Sequence, residues 1–312
     1  METGALLFNQ FAGYFLMLLV GLVAVKSKIL KVSDGKIFST LLLYVVVPCV
    51  VVKAFQIEAT TENVKGFLLA LGAAAALHVL LLIVSALFGR LSGFSEVDQM
   101  SVMYSNGGNI IIPVILGTLG EEWVFYTSAF ITVQTCLLWT HCKSVLSRTR
   151  VFDLKNIYRN VNLWAILLGV LLFSLRIKVP PLLLDVCSSM GSMLAPLGMI
   201  VTGMLIAGMD ARRIFGNCRI YVTAGIRLLV CPLLVLLCIW ASGAVHWMEQ
   251  ANKILFVVYM AAIAPVSSTV TQICQFYDRE AEYEGALNAF TTLLGILTMP
   301  AMAGLYSRLF GI

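Results

Sequence analysis

Two ionisable side chains lie in the middle of long apolar stretches. Arg227 lies within GIRLLVCPLL, and His78 lies in another apolar stretch 149 positions earlier. In a membrane span, an ionised residue costs at least about 2.5 kcal/mol and marks a functional position by default. Arg227 has two possible roles, both facing the interior of a helix bundle: attracting a bound carboxylate, or hydrogen bonding to the carbonyls of a broken helix. His78 is a candidate proton carrier because its reference pKa is near neutrality, although a neutral, hydrogen-bonded imidazole is the favoured interpretation.

Two further apolar stretches contain residues that interrupt helices. One reads SVMYSNGGNIIIPVILG and the other YMAAIAPVSSTVTQICQ. Glycine lowers helix propensity, and proline removes a donor and clashes with the preceding turn. Such backbone is tolerated at membrane depth only when it is buried in protein or lines a polar cavity. We therefore predict two half-helices whose N-termini meet near the midplane, where free N–H groups and helix dipoles favour an anion.

The predicted binding residues come from these interruptions and from polar positions in neighbouring stretches. They are Asn106, Gly107, Gly108, Asn109, Pro113, Gln134, Thr202, Arg227, Pro265, Ser267, Ser268, Thr271 and Gln272. A sodium ion has a possible site near Ser267, Ser268 and Gln272, because hydroxyls and unwound carbonyls suit a small cation. Proline kinks with close helix packing are the alternative, but two interruptions in corresponding positions favour a site. Asn288 and Thr291 add weaker candidates, since such side chains also link helices.

The composition indicates what kind of protein must position these residues. Of 312 residues, 60% are hydrophobic and 12% are charged, and the mean hydropathy is +0.94. Soluble proteins carry about a quarter charged residues, so a soluble enzyme or nucleic-acid binder is excluded. A spanning helix needs about 20 apolar residues. Runs of about that length fall near residues 5–25, 37–56, 66–88, 98–119, 122–142, 159–176, 182–208, 219–241, 251–274 and 285–309.

The distribution of basic residues predicts the orientation of these ten runs. Connections after odd-numbered runs carry fourteen Lys and Arg residues, and those on the other side carry six. By the positive-inside rule, the side with fourteen is cytoplasmic. We expect a multi-pass protein of the cytoplasmic (plasma) membrane with both termini outside. The first run is no cleaved signal peptide, because its positive charges follow it.

The chain divides into two halves of five runs. The predicted units are residues 1–142, a basic cytoplasmic linker at 143–158, and residues 159–312. An odd number of spans per half requires the halves to be inverted if they are related, as in many transporters. Pro113 and Pro265 lie 152 positions apart, and Pro48 and Pro196 lie 148 apart. The fold class is therefore predicted as an all-α polytopic membrane protein with two inverted five-helix repeats.

The acidic and cysteine residues limit the chemistry that is available. All sixteen Asp and Glu residues fall in predicted loops or near the ends of runs, and DREAEYE at 278–284 is expected to form a solvated cap. A carboxylate relay deep in the membrane is thus not expected, and the lack of negative charge suits an anion. The eight cysteines show no CxxC spacing. We expect no metal or redox site and no cofactor.

Several segments together resemble the auxin efflux carrier family, within the superfamily of bile-acid, arsenite and riboflavin transporters. They are TLLLYVVVPCVV, SNGGNIIIPVILG, MLAPLGMIVTGMLIAGM, GIRLLVCPLL and APVSSTVTQICQFYDREAEYEGALNAFTTLLGILTMP. The resemblance implies ten spans, outside termini, inverted repeats, and broken helices four and nine that cross at prolines matched by Pro113 and Pro265. It also implies transport of organic anions: auxin in plants, and in bacteria dicarboxylates such as malate or malonate. The short central linker makes the chain similar to bacterial members, and the family suggests homodimers through spans two and seven.

These observations predict a secondary carrier for a small carboxylate anion that works by alternating access, with Na+ or H+ as a possible coupling ion. A sodium-coupled carrier similar to bile-acid symporters and an anion channel are the alternatives. An intramembrane enzyme is not expected, because the chain has neither paired intramembrane aspartates nor an HExxH motif. The loops are too short for the output domain of a receptor.

Overall fold

The protein is built from helices throughout the part of the chain that is described. The structure, a computed structural model, describes residues 2–148, 160–208 and 216–312, and every regular element in these ranges is helical. Most of the predicted linker, from residue 149 onward, lies outside the described residues. The helices in chain order are α1 (Glu2–Lys26), α2 (residues 35–54), α3 (Thr61–Ser92), α4 (Glu96–Met103), α5 (residues 107–118), α6 (residues 124–147), α7 (Val161–Ser174), α8 (Pro181–Ala207), α9 (Cys218–Ser242), α10 (Ala251–Ile263), α11 (Ser268–Phe276) and α12 (Ala281–Phe310).

The helices fit an all-α membrane protein. Within the described residues, five helical segments are long and apolar enough to cross a bilayer: Val32–Ala54, Thr61–Arg90, Pro181–Ala207, Cys218–Ser242 and Ala281–Phe310. Helix α1 spans 25 residues, and Val161–Ser174 and Ala251–Ile263 are shorter apolar helices. The two runs predicted to be interrupted are split, into α4 with α5 and into α10 with α11. The total of ten spans stays a prediction.

Three helices contain a widened π-helical turn directly before a proline. The turns are Leu42–Val46 in α2, Gly107–Ile111 in α5 and Ile226–Val230 in α9. In each case the proline is the second residue of the α-helical segment that follows. A proline ring clashes with the carbonyl four residues earlier, and a wider turn gives that ring room. These prolines are thus accommodated inside continuous helices.

The first bundle consists of α1, α2, α7 and α8. Helix α1 packs along α8, while α2 packs against α7 and α8. Two glycines allow the backbones of α1 and α8 to touch: a Cβ at Gly21 would lie 2.0 Å from the Ile200 carbonyl oxygen, and one at Gly203 would lie 1.9 Å from that of Leu18. Small residues at helix interfaces are typical of membrane bundles, because they permit close van der Waals packing.

The second bundle consists of α3 to α6 and α9 to α12, arranged around α10. Helix α10 contacts α3, α6, α9 and α12. Every residue from 254 to 267 is buried, including the end of α10 and the break after it. A helix that is apolar all round belongs in a protein core. Each bundle takes corresponding elements from both predicted halves of the chain.

Two acidic residues that the sequence places near the ends of apolar runs are fully buried. Asp98 and Glu284 are both 0% exposed. Asp98 accepts hydrogen bonds from Arg219 Nε at 2.6 Å and Thr223 Oγ1 at 3.0 Å, so its charge is compensated by α9. The prediction that the end of the 278–284 run is solvated is wrong at Glu284, because the first turn of α12 packs against α11.

Candidate functional site

The breaks in the two interrupted helices pair with each other. Ser105 and Val266 form an isolated antiparallel bridge. The Asn106 N–H donates to the Pro265 carbonyl at 2.8 Å, and the Ser267 N–H donates to the Tyr104 carbonyl at 3.1 Å. The backbone groups released by each break therefore find partners in the other break, as buried backbone requires.

Arg227 binds the carbonyl ends of the two helices that stop at these breaks. Its Nη1 donates to the Val102 carbonyl at 2.9 Å, near the end of α4. Its Nη2 donates to the carbonyls of Ala262 and Ala264 at 2.6 and 2.7 Å, and Nε donates to Ala264 at 3.0 Å. The side chain is 0% exposed. Of the two possible roles, the structure thus shows binding to broken-helix carbonyls, and the guanidinium is not free for a two-pronged contact with a ligand.

Gln134 of α6 satisfies both backbone groups of Ser105 at the first break. Its Oε1 accepts from the Ser105 N–H at 3.1 Å and from the Ser105 hydroxyl at 2.7 Å. Its Nε2 donates to the Ser105 carbonyl at 2.9 Å. The predicted residue therefore lies at the break, where it fixes the unwound backbone.

Two side chains of α12 do the same for Val266 at the second break. Asn288 Nδ2 donates to the Val266 carbonyl at 3.2 Å, and the Val266 N–H donates to Thr291 Oγ1 at 3.3 Å. From the sequence alone, Asn288 and Thr291 are only weaker candidates. Their spacing of three residues, which puts both on one face of a helix, was the signal that could have identified them, together with the position of α12 after a broken segment.

The N-termini of α5 and α11 begin immediately after the paired residues, so they lie beside each other. Ser267 is the N-cap of α11, and its Oγ accepts from the Thr269 N–H at 3.3 Å. Asn106 precedes α5 without a side-chain cap. Within the described residues, neither first turn contains an acidic side chain. The carbonyl ends at the breaks are thus covered by a cation, whereas no carboxylate from the described first turns compensates the amide ends.

His78 lies behind the first break. Its ring centroid is 4.8 Å from that of Phe130, and Phe130 Cε1 is 3.3 Å from the position that a Cβ of Gly107 would occupy. The Nδ1 atom is 2.7 Å from the Ala74 carbonyl, so Nδ1 carries the proton. The Nε2 atom has no hydrogen-bond partner among the described residues. The buried imidazole has the hydrogen bond that the favoured interpretation expects, and its role as proton carrier stays a prediction.

Other predicted residues lie at the second break or along α5, α8 and α11. Pro265 is part of the break, whereas Pro113 follows Asn106 by seven positions and accepts at its carbonyl from Tyr14 OH at 2.6 Å. Thr202 donates to the Gly198 carbonyl of its own helix at 2.9 Å. Gln272 is exposed one turn into α11.

Four further predicted residues belong to α5 and α11. Ser268 is half-buried at the start of α11, and Thr271 has a buried hydroxyl without a hydrogen-bond partner in the described part of the chain. Gly108 and Asn109 belong to the π-helical turn of α5. The side chain of Asn109 is outside the described residues.

Comparison with known proteins is consistent with this architecture. A family model described as "Membrane transport protein" matches residues 6–150 and 144–303. Together the two matches cover nearly the whole chain, including both breaks. No curated protein matches the chain.

Proposed function

The chain belongs to the auxin efflux carrier family of membrane transport proteins, and from this premise we propose that it is a secondary transporter for a small organic carboxylate anion. The anion binds at the N-termini of α5 and α11, and alternating access around this site carries it across the cytoplasmic membrane. Malate and malonate are the substrates to test first.

The distribution of charge at the paired breaks carries this proposal. Arg227 neutralises the carbonyl ends of α4 and α10 through four hydrogen bonds. The opposite, amide ends of α5 and α11 have no acidic cap in the described residues. Half-helix N-termini that point at a midplane site bind anionic groups in transporters. The site therefore favours a carboxylate over a cation.

The matching positions of Gln134 and Asn288 support the proposal that the two halves, 1–142 and 159–312, are inverted repeats. Gln134 follows the first break and Asn288 follows the second, and each binds the backbone of the bridged residue. The two side chains lie 154 positions apart, close to the 152 that separate Pro113 from Pro265. In this proposal, helices four and nine of ten spans cross at the bridge, and both termini lie outside.

The transport movement we propose is a displacement of one bundle against the other. A cavity of about 210 Å³ lies between them, lined by α2 and α8 on one side and by Leu116 and Glu121 on the other. At its edge, Lys53 Nζ of α2 lies 2.5 Å from Glu121 Oε2. Alternating access would break this contact and the hydrogen bond from Tyr14 to Pro113. The exposed apolar faces of α2 and α8 suit the proposed homodimer.

Uptake by purified protein in proteoliposomes tests the function. We expect saturable uptake of labelled malate or malonate that is accelerated when the same anion is loaded inside. Indole-3-acetate serves as a comparison, and imposed sodium, proton or voltage gradients identify the driving ion. A requirement for sodium would favour the carrier similar to bile-acid symporters. Single-channel currents in planar bilayers would contradict a carrier.

A further inference from the structure

The carboxyl group of Glu284 is buried in the second bundle without an ion-pair partner among the described residues. The side chain is 0% exposed, and within the described residues no hydrogen bond of standard geometry reaches either carboxyl oxygen. Glu284 lies in the first turn of α12, which packs against α11. Burying an ionised carboxylate without a partner is among the most unfavourable arrangements in a protein. This position therefore calls for a bound positive species that neutralises the carboxylate.

Among the described residues, the side chains around Glu284 do not supply that charge. Thr271 of α11 has the hydroxyl that faces the carboxyl, and within the described part of the chain this hydroxyl is buried and has no hydrogen bond of standard geometry. The titratable groups beside the carboxyl are the thiols of Cys142 on α6 and Cys274 on α11. A thiol is a weak donor and carries no positive charge in its protonated form. In the part of the chain that the structure describes, the pocket thus contains oxygens and sulfurs but no cation.

The nearby charged side chains are engaged in other contacts. Arg279, in the turn before α12, binds Glu96 of α4. Glu280, in the same turn, accepts from Arg219 Nη1 at 2.7 Å. On α9 and α4, Arg219 and Asp98 form an ion pair at 2.6 Å. Within the described residues, these ion pairs neutralise Asp98, Glu280 and Glu96 but not Glu284.

A proton fits this pocket better than a metal ion. Hard divalent cations take six or more oxygen ligands, whereas this pocket offers the two carboxyl oxygens and the Thr271 hydroxyl. Among the described residues, no group of three His, Cys, Asp or Glu side chains is arranged to hold a metal. A proton needs only one carboxyl oxygen, and its binding removes the buried charge.

We propose that Glu284 is the coupling-proton site of the transporter; this inference rests on the proposed function. Thr271 is four residues after Ser267, the cap at the proposed anion site. Helix α11 therefore has the anion at its N-terminus and the carboxyl beside its second turn. In the buried state, Glu284 holds a proton taken from water on one side of the membrane. When the bundle movement exposes the carboxyl on the other side, the O–H bond breaks and the proton returns to water.

Glu284→Gln tests this site because glutamine imitates the neutral, protonated carboxyl. The matched control is Glu282→Gln, which removes an exposed carboxylate two positions away in the same turn. With the voltage held at zero by potassium and valinomycin, one coupled proton per anion gives about tenfold accumulation for each unit of pH gradient. We expect this accumulation of labelled malonate or malate in the wild type and in E282Q. E284Q should lose it and keep exchange of internal for external anion.

The outcomes separate this inference from the function on which it rests. Exchange without any response to a pH gradient in the wild type, or proton-driven accumulation in E284Q, would overturn the coupling site and leave the carrier intact. If the wild type moves none of the tested anions, the proposed function and the coupling fail together. Infrared spectroscopy supplies a reading independent of transport: the wild type should show a protonated-carboxyl C=O band that E284Q lacks. Absence of that band would overturn protonation of Glu284.

A second variant keeps the test open if E284Q does not insert. Thr271→Val preserves shape and removes the hydroxyl that faces the carboxyl. We expect it to shift the pH at which the infrared band disappears, because the carboxylate loses the donor nearest to it. An unchanged titration would contradict the assignment of Thr271 to this site.

Discussion

At the scale of single residues, Arg227 shows how a buried charge can act on the proposed anion site through hydrogen bonds to backbone carbonyls. Its four hydrogen bonds go to backbone carbonyls at the ends of α4 and α10. These carbonyls are the negative ends of two helix dipoles. By covering them, the guanidinium leaves the positive, amide ends of α5 and α11 as the charge at the paired breaks that no acidic cap among the described residues compensates. Removing the arginine would therefore make the paired breaks less stable and would change the electrostatic potential there from positive to negative.

We expect Arg227→Ala to unfold at a lower temperature and to lose anion uptake. It leaves buried carbonyls without donors, and each unsatisfied group costs about 1–3 kcal/mol. Thermal unfolding in detergent and uptake in proteoliposomes measure the two effects. Arg90→Ala is the control, since Arg90 is an exposed arginine near the end of α3. A normal melting temperature in R227A would contradict the structural role.

Gln134→Leu should impair uptake more than it reduces expression. Leucine has a similar size but leaves the Ser105 N–H and carbonyl without their side-chain partner, at about 1–3 kcal/mol for each group. Uptake and thermal unfolding, compared with Gln275→Leu at an exposed position of α11, provide the measurement. Uptake equal to that of Q275L would exclude Gln134 as a determinant of the break.

At the scale of helices, the interruptions were predictable because glycine and proline disfavour helical backbone wherever they occur. The sequence therefore located both breaks. The sequence predicts that Pro113 marks a break, whereas in the structure a π-helical turn accommodates this proline within α5. The sequence does not show that Asn288 and Thr291 bind the second break, because that role depends on a contact between distant segments. The burial of Glu284 was missed for the same reason: helix packing, not local composition, determines which face of a first turn meets solvent.

The contact between α1 and α8 gives a prediction at this scale. Gly21→Ala places a Cβ about 2.0 Å from the Ile200 carbonyl oxygen, so the helices must separate and lose close packing. We expect a lower melting temperature. Gly13→Ala on the same helix is the control, because no atom lies within 4 Å of its added Cβ. Equal melting temperatures for the two variants would show that α1 and α8 do not pack at this distance.

At the scale of the whole molecule, membrane character follows directly from composition, since 12% charged residues cannot solubilise a chain of this size. The grouping into two bundles does not follow from composition. It places α1 and α2 with α7 and α8, although more than 100 residues separate these pairs along the chain. Pairings over such distances depend on complementary surfaces, as at Gly21 and Gly203, which no local pattern reveals.

The ion pair between the bundles should affect transport modestly. Lys53→Met removes the contact with Glu121, whose side chain is 55% exposed. Such pairs contribute about 0–1 kcal/mol, so we expect the KM for anion uptake to change by no more than about fivefold. Faster thiol labelling of Cys187, which lines the cavity, would accompany looser contact. Lys65→Met is the exposed control, and unchanged labelling would argue against a contact that opens during transport.

The enclosure of residues 254–267 also constrains how the protein is made. During translation, α10 and the second break are synthesised before α12. However, Asn288 and Thr291 of α12 complete the hydrogen bonding of Val266. Until α12 has been synthesised, that backbone remains in the translocon or beside lipid without these hydrogen-bond partners. The proposed anion site is therefore completed only after α12 has been made, and a nascent chain released before α12 would expose an incomplete second break to cellular quality control.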